Sequence, residues 1–297
     1  MVIFYTVELG KTISLIHAKL FRDKAEEYQK MSTVLRYNEN SGKFLSWGFA
    51  ASRAPKKAGD LNLEFFKLLL SPKNVDQFYG KGNRVIEENK KRFFMVSTKS
   101  NDEKKTKRIK TLTPVEIIAE YLKNFNTTIR KTLKTKYNLS SKDLRLEYVI
   151  TVPAMWTEAS RVIMLEAALK AELIKNPNEI VQLISEPEAA ALSCEKFMKN
   201  TLKLTDDFFD NGLTFIVCDA GGGTVDLVTF TKKKENGIAS IQQIGDGTGG
   251  TCGAGHLDKN FRELIQTFYT EVLGLTTPGE EFYKVHMDYF EKKIKVI

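Results

Sequence analysis

The stretch Leu213 to Phe230, LTFIVCDAGGGTVDLVTF, holds the residues best equipped for chemistry. Two apolar, β-rich runs flank a triple-glycine turn short enough to join antiparallel neighbours, so the segment reads as a hairpin. Glycines let a backbone approach a ligand closely and turn successive amides toward it, and Thr224 adds a hydroxyl. A tip made of Gly221, Gly222, Gly223 and Thr224 therefore suits a phosphate chain. The carboxylates of Asp219 and Asp226 would repel bare phosphate, so their presence at the tip calls for a bridging hard cation, of which Mg²⁺ is the natural choice. A plain glycine hairpin without a ligand satisfies the same residues, because short glycine motifs also arise by chance.

The elements that must carry this tip follow from periodicity. Residues 1–20 read as strand, turn, strand: VIFYTV is β-rich, ELGKT turns on one glycine, and ISLIHA resumes the pattern. Thr113-Pro114-Val115-Glu116 is a capping box with proline at the first helical position. Val115, Ile118, Ala119, Leu122, Phe125 and Ile129 follow at helical spacing, predicting a long amphipathic helix to about Lys134. Strands are predicted over 144–152 and 180–185, and helices over 157–173, 187–198 and 257–273. Strand 180–185 and its neighbours alternate with helices, which argues for α/β layering. A polar break at 201–212 precedes the glycine hairpin, and a strand from Ile238 is predicted to give way to a second glycine-rich loop, GDGTGGTCGAG.

Composition sets outer bounds. The 297 residues can hold one large domain or two lobes, and 42% hydrophobic content is ordinary for a globular protein. No apolar run approaches the ~20 residues of a membrane span, and the N-terminus has no secretory-signal pattern, which gives a cytoplasmic expectation. Cys194, Cys218 and Cys252 have neither metal-ligand nor disulfide-framework spacing and read as free thiols. The net charge of +8 is spread along the chain. Its densest basic run, Lys99 to Lys110, also holds Asp102 and Glu103 and no aromatics, so it reads as a solvated loop and not a nucleic-acid surface.

Upstream of the hairpin, Tyr148 to Leu192 opens on YVITVPAMWTEASR and closes on VQLISEPEAAAL. With the hairpin, this block resembles the ATPase domain of the heat shock protein 70 family, within the actin and sugar-kinase superfamily. Members show the same order: a strand ending TVPA, a helix with an arginine, a strand ending EPxAAA, then DxGGGTxD. The likeness is firm over 148–258 and looser before it. Met31 to Ala51 and Phe65 to Pro72 are more similar to the divergent branch that lacks a conventional peptide-binding domain.

The resemblance implies an α/β, two-lobed actin-like ATPase fold with ribonuclease H-like lobes, lobe I over 1–192 and an incomplete lobe II over 193–297, truncated at its C-terminus. It implies ATP and ADP as ligands, Mg²⁺ as cofactor, client or co-chaperone proteins as partners, and neither nucleic acid nor membrane. By the same resemblance, Val7 to Ser14 is the first phosphate hairpin. Gly10, Thr12 and Ser14 match the family there, Glu8 stands in for a metal-side Asp, and Lys11 replaces a hydroxyl residue. Lys11 reads either as a phosphate contact or as a solvated turn residue. Lys67 matches the lysine aimed at the γ-phosphate, against the alternative of a side chain reaching solvent. Glu186 matches the glutamate that positions water and metal, against helix capping. Asp219 is the implied metal-side acid and Asp226 the implied water-orienting acid. Pro153 and Arg161 match residues that couple the nucleotide site to the outer surface. Gly249, Gly250, Gly253 and Asp258 resemble the third glycine-rich segment. The implied reaction is hydrolysis of ATP in a nucleotide switch. Its rivals are a nucleotide-sensing or interaction module with impaired catalysis, which Glu8 and Lys11 favour, and a phosphotransferase of the sugar-kinase type, for which no acceptor base is evident.

Overall fold

A computed structural model describes residues 3–9, 12–15, 31–38, 41–55, 57–64, 66–70, 97–98, 110–138, 140, 146–174, 180–201, 212–222, 224–235, 238–250, 253–276 and 279–294. The architecture is mixed α/β, and contacts divide the chain into two compact units, Met1–Ala189 and Ala190–Ile297.

In the first unit a four-stranded sheet has the order β2-β1-β8-β9, formed by β1 (Ile3–Leu9), β2 (Thr12–Leu15), β8 (Leu146–Val152) and β9 (Ile180–Ser185). β8 and β9 run parallel, a pairing that requires a crossover, and the helix between them, Glu158–Lys170, supplies it. A smaller antiparallel sheet has the order β4-β3-β5, from β3 (Leu35–Asn38), β4 (Phe44–Trp47) and β5 (Asp60–Leu63). A short helix, α1 (Gly48–Arg53), lies between β4 and β5, and a 3₁₀ turn, Phe66–Leu70, follows β5. Buried Arg36 binds this region together, donating to Asn62 Oδ1 at 2.8 Å, Ala54 O at 2.8 Å and Pro55 O at 3.1 Å. The short strands β6 (Ser97–Thr98) and β7 (Lys110–Thr111) pair with each other.

The centre of this unit is α2, Pro114–Tyr137. Its start has the capping box expected from the sequence: the Thr113 hydroxyl accepts from Glu116 N at 3.2 Å and the Glu116 carboxylate accepts from Thr113 N at 2.9 Å. Its end is closed by Asn138 in the left-handed region, at φ 52°. Between them Ile117, Ile118, Tyr121, Leu122, Phe125, Ile129 and Leu133 are buried at helical spacing. They form one core with Leu35, Leu63, Phe66, Tyr148, Ile150 and Met164. The Trp47 ring meets Tyr121 edge-on with centroids 5.6 Å apart, and Phe66 lies 5.7 Å from the same tyrosine.

In the second unit β10 (Thr214–Ala220), β11 (Val225–Glu235) and β12 (Ile238–Gly250) form an antiparallel meander in that order. Of the glycine-rich segment 245–255, expected as a loop, residues 248–250 pair with β11 instead, and Ala254 and Gly255 already open a helix. Ladder bonds need only backbone, so glycines can pair, and the irregularity they bring is confined to a bulge opposite Leu227 and Thr229, where Gly245 takes φ 66°. Helix α4 (Glu186–Thr201) begins in the first unit and ends in the second, after the crossover helix α3 (Glu158–Lys170). Downstream, α5 (Ala254–Thr267) and α6 (Glu280–Tyr289) each run into a π-helical turn. Their contact is aromatic: Phe261 stacks on Phe290 with centroids 4.1 Å apart, and the Arg262 guanidinium lies 4.1 Å from the centre of the Tyr283 ring. Among the described residues no helix is long and apolar enough to cross a membrane.

Burial in the core raises the Tyr121 hydroxyl to about 12, and it raises Tyr37 as well, with Glu120 and Glu116 adding to the effect. Both groups ionise near 10 in an unfolded chain. Their folded values lie above that, so their contribution to stability is complete below pH ~10 and is lost as pH rises toward the folded values. Denaturant unfolding between pH 9 and 12 should show stability falling above pH ~10 by up to ~1.4 kcal/mol per pH unit per tyrosine, and Tyr37→Phe with Tyr121→Phe should flatten that slope.

Candidate functional site

In the first unit the chemistry gathers at one end of the parallel pair. Val152 and Ser185 are register partners, so β8 and β9 finish together, and the carboxyl ends of parallel strands are where α/β sheets hold ligands. The Ser185 hydroxyl accepts from Glu188 N at 3.3 Å and so caps α4. The side-chain cap is thus made by Ser185, next to Glu186. As the first residue of α4, Glu186 sits at the positive end of the helix dipole, and its carboxylate turns to Lys67.

Lys67 is delivered by the 3₁₀ turn. Phe66 and Leu70 are buried in the core and anchor the turn, while Lys67 reaches the strand ends. Its ammonium donates to Glu186 Oε1 and, at 3.0 Å, to the Thr151 carbonyl oxygen. The centre of the Trp156 ring is 5.7 Å from Nζ. The Lys67 and Glu186 side chains are only 11% and 20% exposed, so this is an ion pair largely withdrawn from water. Pro153, which ends β8, is buried, and its carbonyl accepts from Trp156 N at 3.2 Å in the turn that swings the indole back toward the strand ends. Arg161 is half-buried on α3.

The second unit builds a separate constellation at the β10–β11 tip. Asp219 pairs with Asp226, and Asp226 pairs with Gly249 of β12, so two carboxylates and a glycine form a row across the sheet. Directly opposed like charges disfavour one another, and a cation placed between them relieves the repulsion. Asp226 is buried, and Gly249 makes the room for it: a Cβ at 249 would lie 2.7 Å from Val225 O and 2.9 Å from Asp226 Oδ1. Gly249 thus supports the carboxylate. The turn itself is closed by Gly221 N donating to Thr224 O at 2.8 Å. It is fastened to the start of α5, where Ala254 N and Gly255 N donate to the carbonyls of Gly221 and Gly222 at 3.0 and 2.7 Å. The first amides of α5 are thus satisfied by the turn's own carbonyls, which fixes the tip against the helix. Gly250 ends β12 opposite Val225, and Gly223 lies outside the described residues. Among the described residues no three or more His, Cys, Asp or Glu side chains gather into an all-protein metal cage. Mg²⁺ does not require one, since it binds through one or two carboxylates together with phosphates and water, and the Asp219–Asp226 pair fits that donor set.

The first hairpin lies elsewhere. β1 runs antiparallel to β8 with Ile3 opposite Ile150 and Val7 opposite Leu146, so Glu8, Thr12 and Ser14 fall at the amino end of β8. The Lys67–Glu186 pair is at the other end, roughly 16 Å along the strand at ~3.3 Å per residue. The structure brings Lys67 and Glu186 together and does not bring Glu8, Thr12 or Ser14 to them. Gly10 and Lys11 lie outside the described residues. The apolar run of β1 favours a buried strand but carries no signal for its direction, which is set by its partner. Two participants had no signal that pointed to a role. The Thr151 carbonyl is backbone and has no residue signature, and Trp156 was visible only as an aromatic three residues after Pro153.

A model of the family described as Hsp70 protein matches residues 73–250. Heat shock 70 kDa protein 12B of Homo sapiens is 26% identical over 209 residues, covering 54% of this chain and 30% of that protein. Heat shock 70 kDa protein 12A of Mus musculus is 25% identical over 210 residues, covering 56% and 30%. A chaperone protein HscA homolog of Acinetobacter baumannii is 30% identical over 173 residues, covering 58% of this chain and 23% of its own length. The matched region thus spans less than a third of each of these relatives.

The contact between Gly249 and Asp226 sets up a stability test. Gly249→Ala drives a methyl against a backbone oxygen and should cost ~1 to 3 kcal/mol in urea unfolding, the range for overpacking. Gly222→Ala, where an added Cβ meets nothing within 4 Å, should stay within ~0.5 kcal/mol of the parent.

Proposed function

The chain belongs to the Hsp70 family, and from that premise we propose that it is an ATP-binding, Mg²⁺-dependent nucleotide-switch domain that hydrolyses ATP. The observation that carries this reading is the Lys67–Glu186 pair at the carboxyl ends of two parallel strands. We take the two units as the two lobes of an actin-like ATPase fold, with the boundary near Ala189 to Leu192. In this reading, water attacks the γ-phosphorus, the bond to the β,γ-bridging oxygen breaks, and ADP and phosphate result. Glu186 accepts a hydrogen bond from the water and orients it, and Lys67 donates to a γ-phosphoryl oxygen as charge builds there. Asp219 and Asp226 are the groups that would hold Mg²⁺, which when bound neutralises phosphate charge. The turn Gly221 to Thr224 supplies amides and a hydroxyl to the phosphates. Client or co-chaperone proteins are the partners this reading carries, and the cytoplasm its location.

A second reading, a nucleotide-sensing or interaction module with impaired catalysis, is favoured by one observation. Glu8, Thr12 and Ser14 lie at the far end of the β8 strand from Lys67 and Glu186.

Single-turnover hydrolysis and calorimetric titration of ATP with and without Mg²⁺ separate the two. Glu186→Ala and Asp219→Asn should each slow turnover by ~10² or more, the scale for losing a positioned acid-base group. Asp219→Asn should in addition blunt the Mg²⁺ dependence of binding, while Glu186→Ala retains it. Binding without turnover in the parent chain, unchanged by either substitution, selects the impaired module. Lys11 lies outside the described residues, and its part in this reading rests on the family resemblance. Lys11→Thr should change ATP affinity, and an unchanged isotherm would assign the side chain to solvent.

A further inference from the structure

A lysine ammonium has three N–H donors and no acceptor. At Lys67, two of its acceptors in the structure are Glu186 Oε1 and, at 3.0 Å, the Thr151 carbonyl oxygen. The Trp156 ring covers a further flank, its centre 5.7 Å from Nζ, inside the range in which an aromatic face attracts a cation. Tryptophan is the strongest aromatic partner for this contact, and the attraction grows as water is removed. Trp156 is 7% exposed. A ring differs from a second carboxylate in one respect that matters here: it stabilises positive charge without occupying an N–H. We propose that Trp156 is a positioning residue for Lys67. Its indole face and the Thr151 carbonyl hold the ammonium beside Glu186 while keeping one N–H for a phosphoryl oxygen of the ligand. The phosphoryl clause rests on the nucleotide reading above, whereas the contact between ring and ammonium does not.

The test uses the full chain with Trp47→Phe, which leaves Trp156 as its single indole, since the sequence holds two tryptophans. Without nucleotide, Lys67→Met should change the emission of Trp156 and Lys67→Arg, which keeps the charge, should change it less. Emission indifferent to Lys67→Met overturns the proposal whether or not the chain binds ATP. With ATP, Trp156→Leu should slow single-turnover hydrolysis by ~10-fold, the scale of a desolvated cation–π contact, and leave ADP affinity within ~2-fold. Trp156→Phe, which keeps an aromatic face, should recover most of the rate. In a Lys67→Met background, Trp156→Leu should cost nothing further, because the two residues act as one unit. Equal losses in both backgrounds, or Trp156→Phe as harmful as Trp156→Leu, would show the indole to be packing alone. If the emission contrast is present but the parent chain responds to neither ATP nor ADP, the phosphoryl clause falls together with the nucleotide reading, and the ring–ammonium contact stands.

Discussion

The contact on which the first unit's chemistry depends is the ion pair between Lys67 and Glu186, made by residues 119 positions apart. It joins three elements that share no local sequence: the 3₁₀ turn after β5, the end of β8 through the Thr151 carbonyl, and the first residue of α4. Each partner is stabilised from its own side, Glu186 by the helix dipole and Lys67 by a second acceptor and an aromatic face. Withdrawing two charges from water is costly, and the loss is offset only when both are satisfied. Removing one partner of such a pair typically costs ~3 to 5 kcal/mol, because the other charge is then stranded. A pair of this kind stays assembled without a ligand and meets an incoming anion already organised.

What lies beneath the pair is ordinary packing, and it explains why some of the fold could be read in advance. The capping box at Thr113 and Glu116, followed by apolar residues at helical spacing, marked α2 to within a turn of its end. Strands β8 and β9 were evident from their β-branched runs, and the β10–β11 hairpin from its glycine turn. Local signals suffice for these because capping, periodicity and turn chemistry act over a few residues. The remainder depends on contacts distant in sequence. Nothing near Lys67 indicates that it finds Glu186 instead of solvent. The direction of β1 is decided by β8, far downstream. The glycine-rich end of β12 reads as a loop because glycine is a poor strand former, yet pairing with β11 overrides that preference. That Ser185 makes the helix-capping bond beside Glu186 is visible only once its hydroxyl and the Glu188 amide are in contact.

The two units pose opposite electrostatic problems. The first solves a buried cation with a carboxylate, a carbonyl and a ring, all from the protein. The second sets Asp219 directly opposite Asp226 on adjacent strands. The first is a pair of opposite charges, and the second a pair of like charges, the kind of donor set that suits a cation.

The row Asp219, Asp226 and Gly249 also bears on how this sequence can drift over time. The first obstacle to a Cβ at position 249 is the Val225 carbonyl oxygen, which any residue at 225 would carry, and the Asp226 carboxylate comes second. The dependence between the two positions therefore runs one way. Loss of the acid leaves the backbone oxygen in place and glycine still required, whereas a side chain at 249 disturbs strand and carboxylate together. Across related chains the glycine should outlast the aspartate.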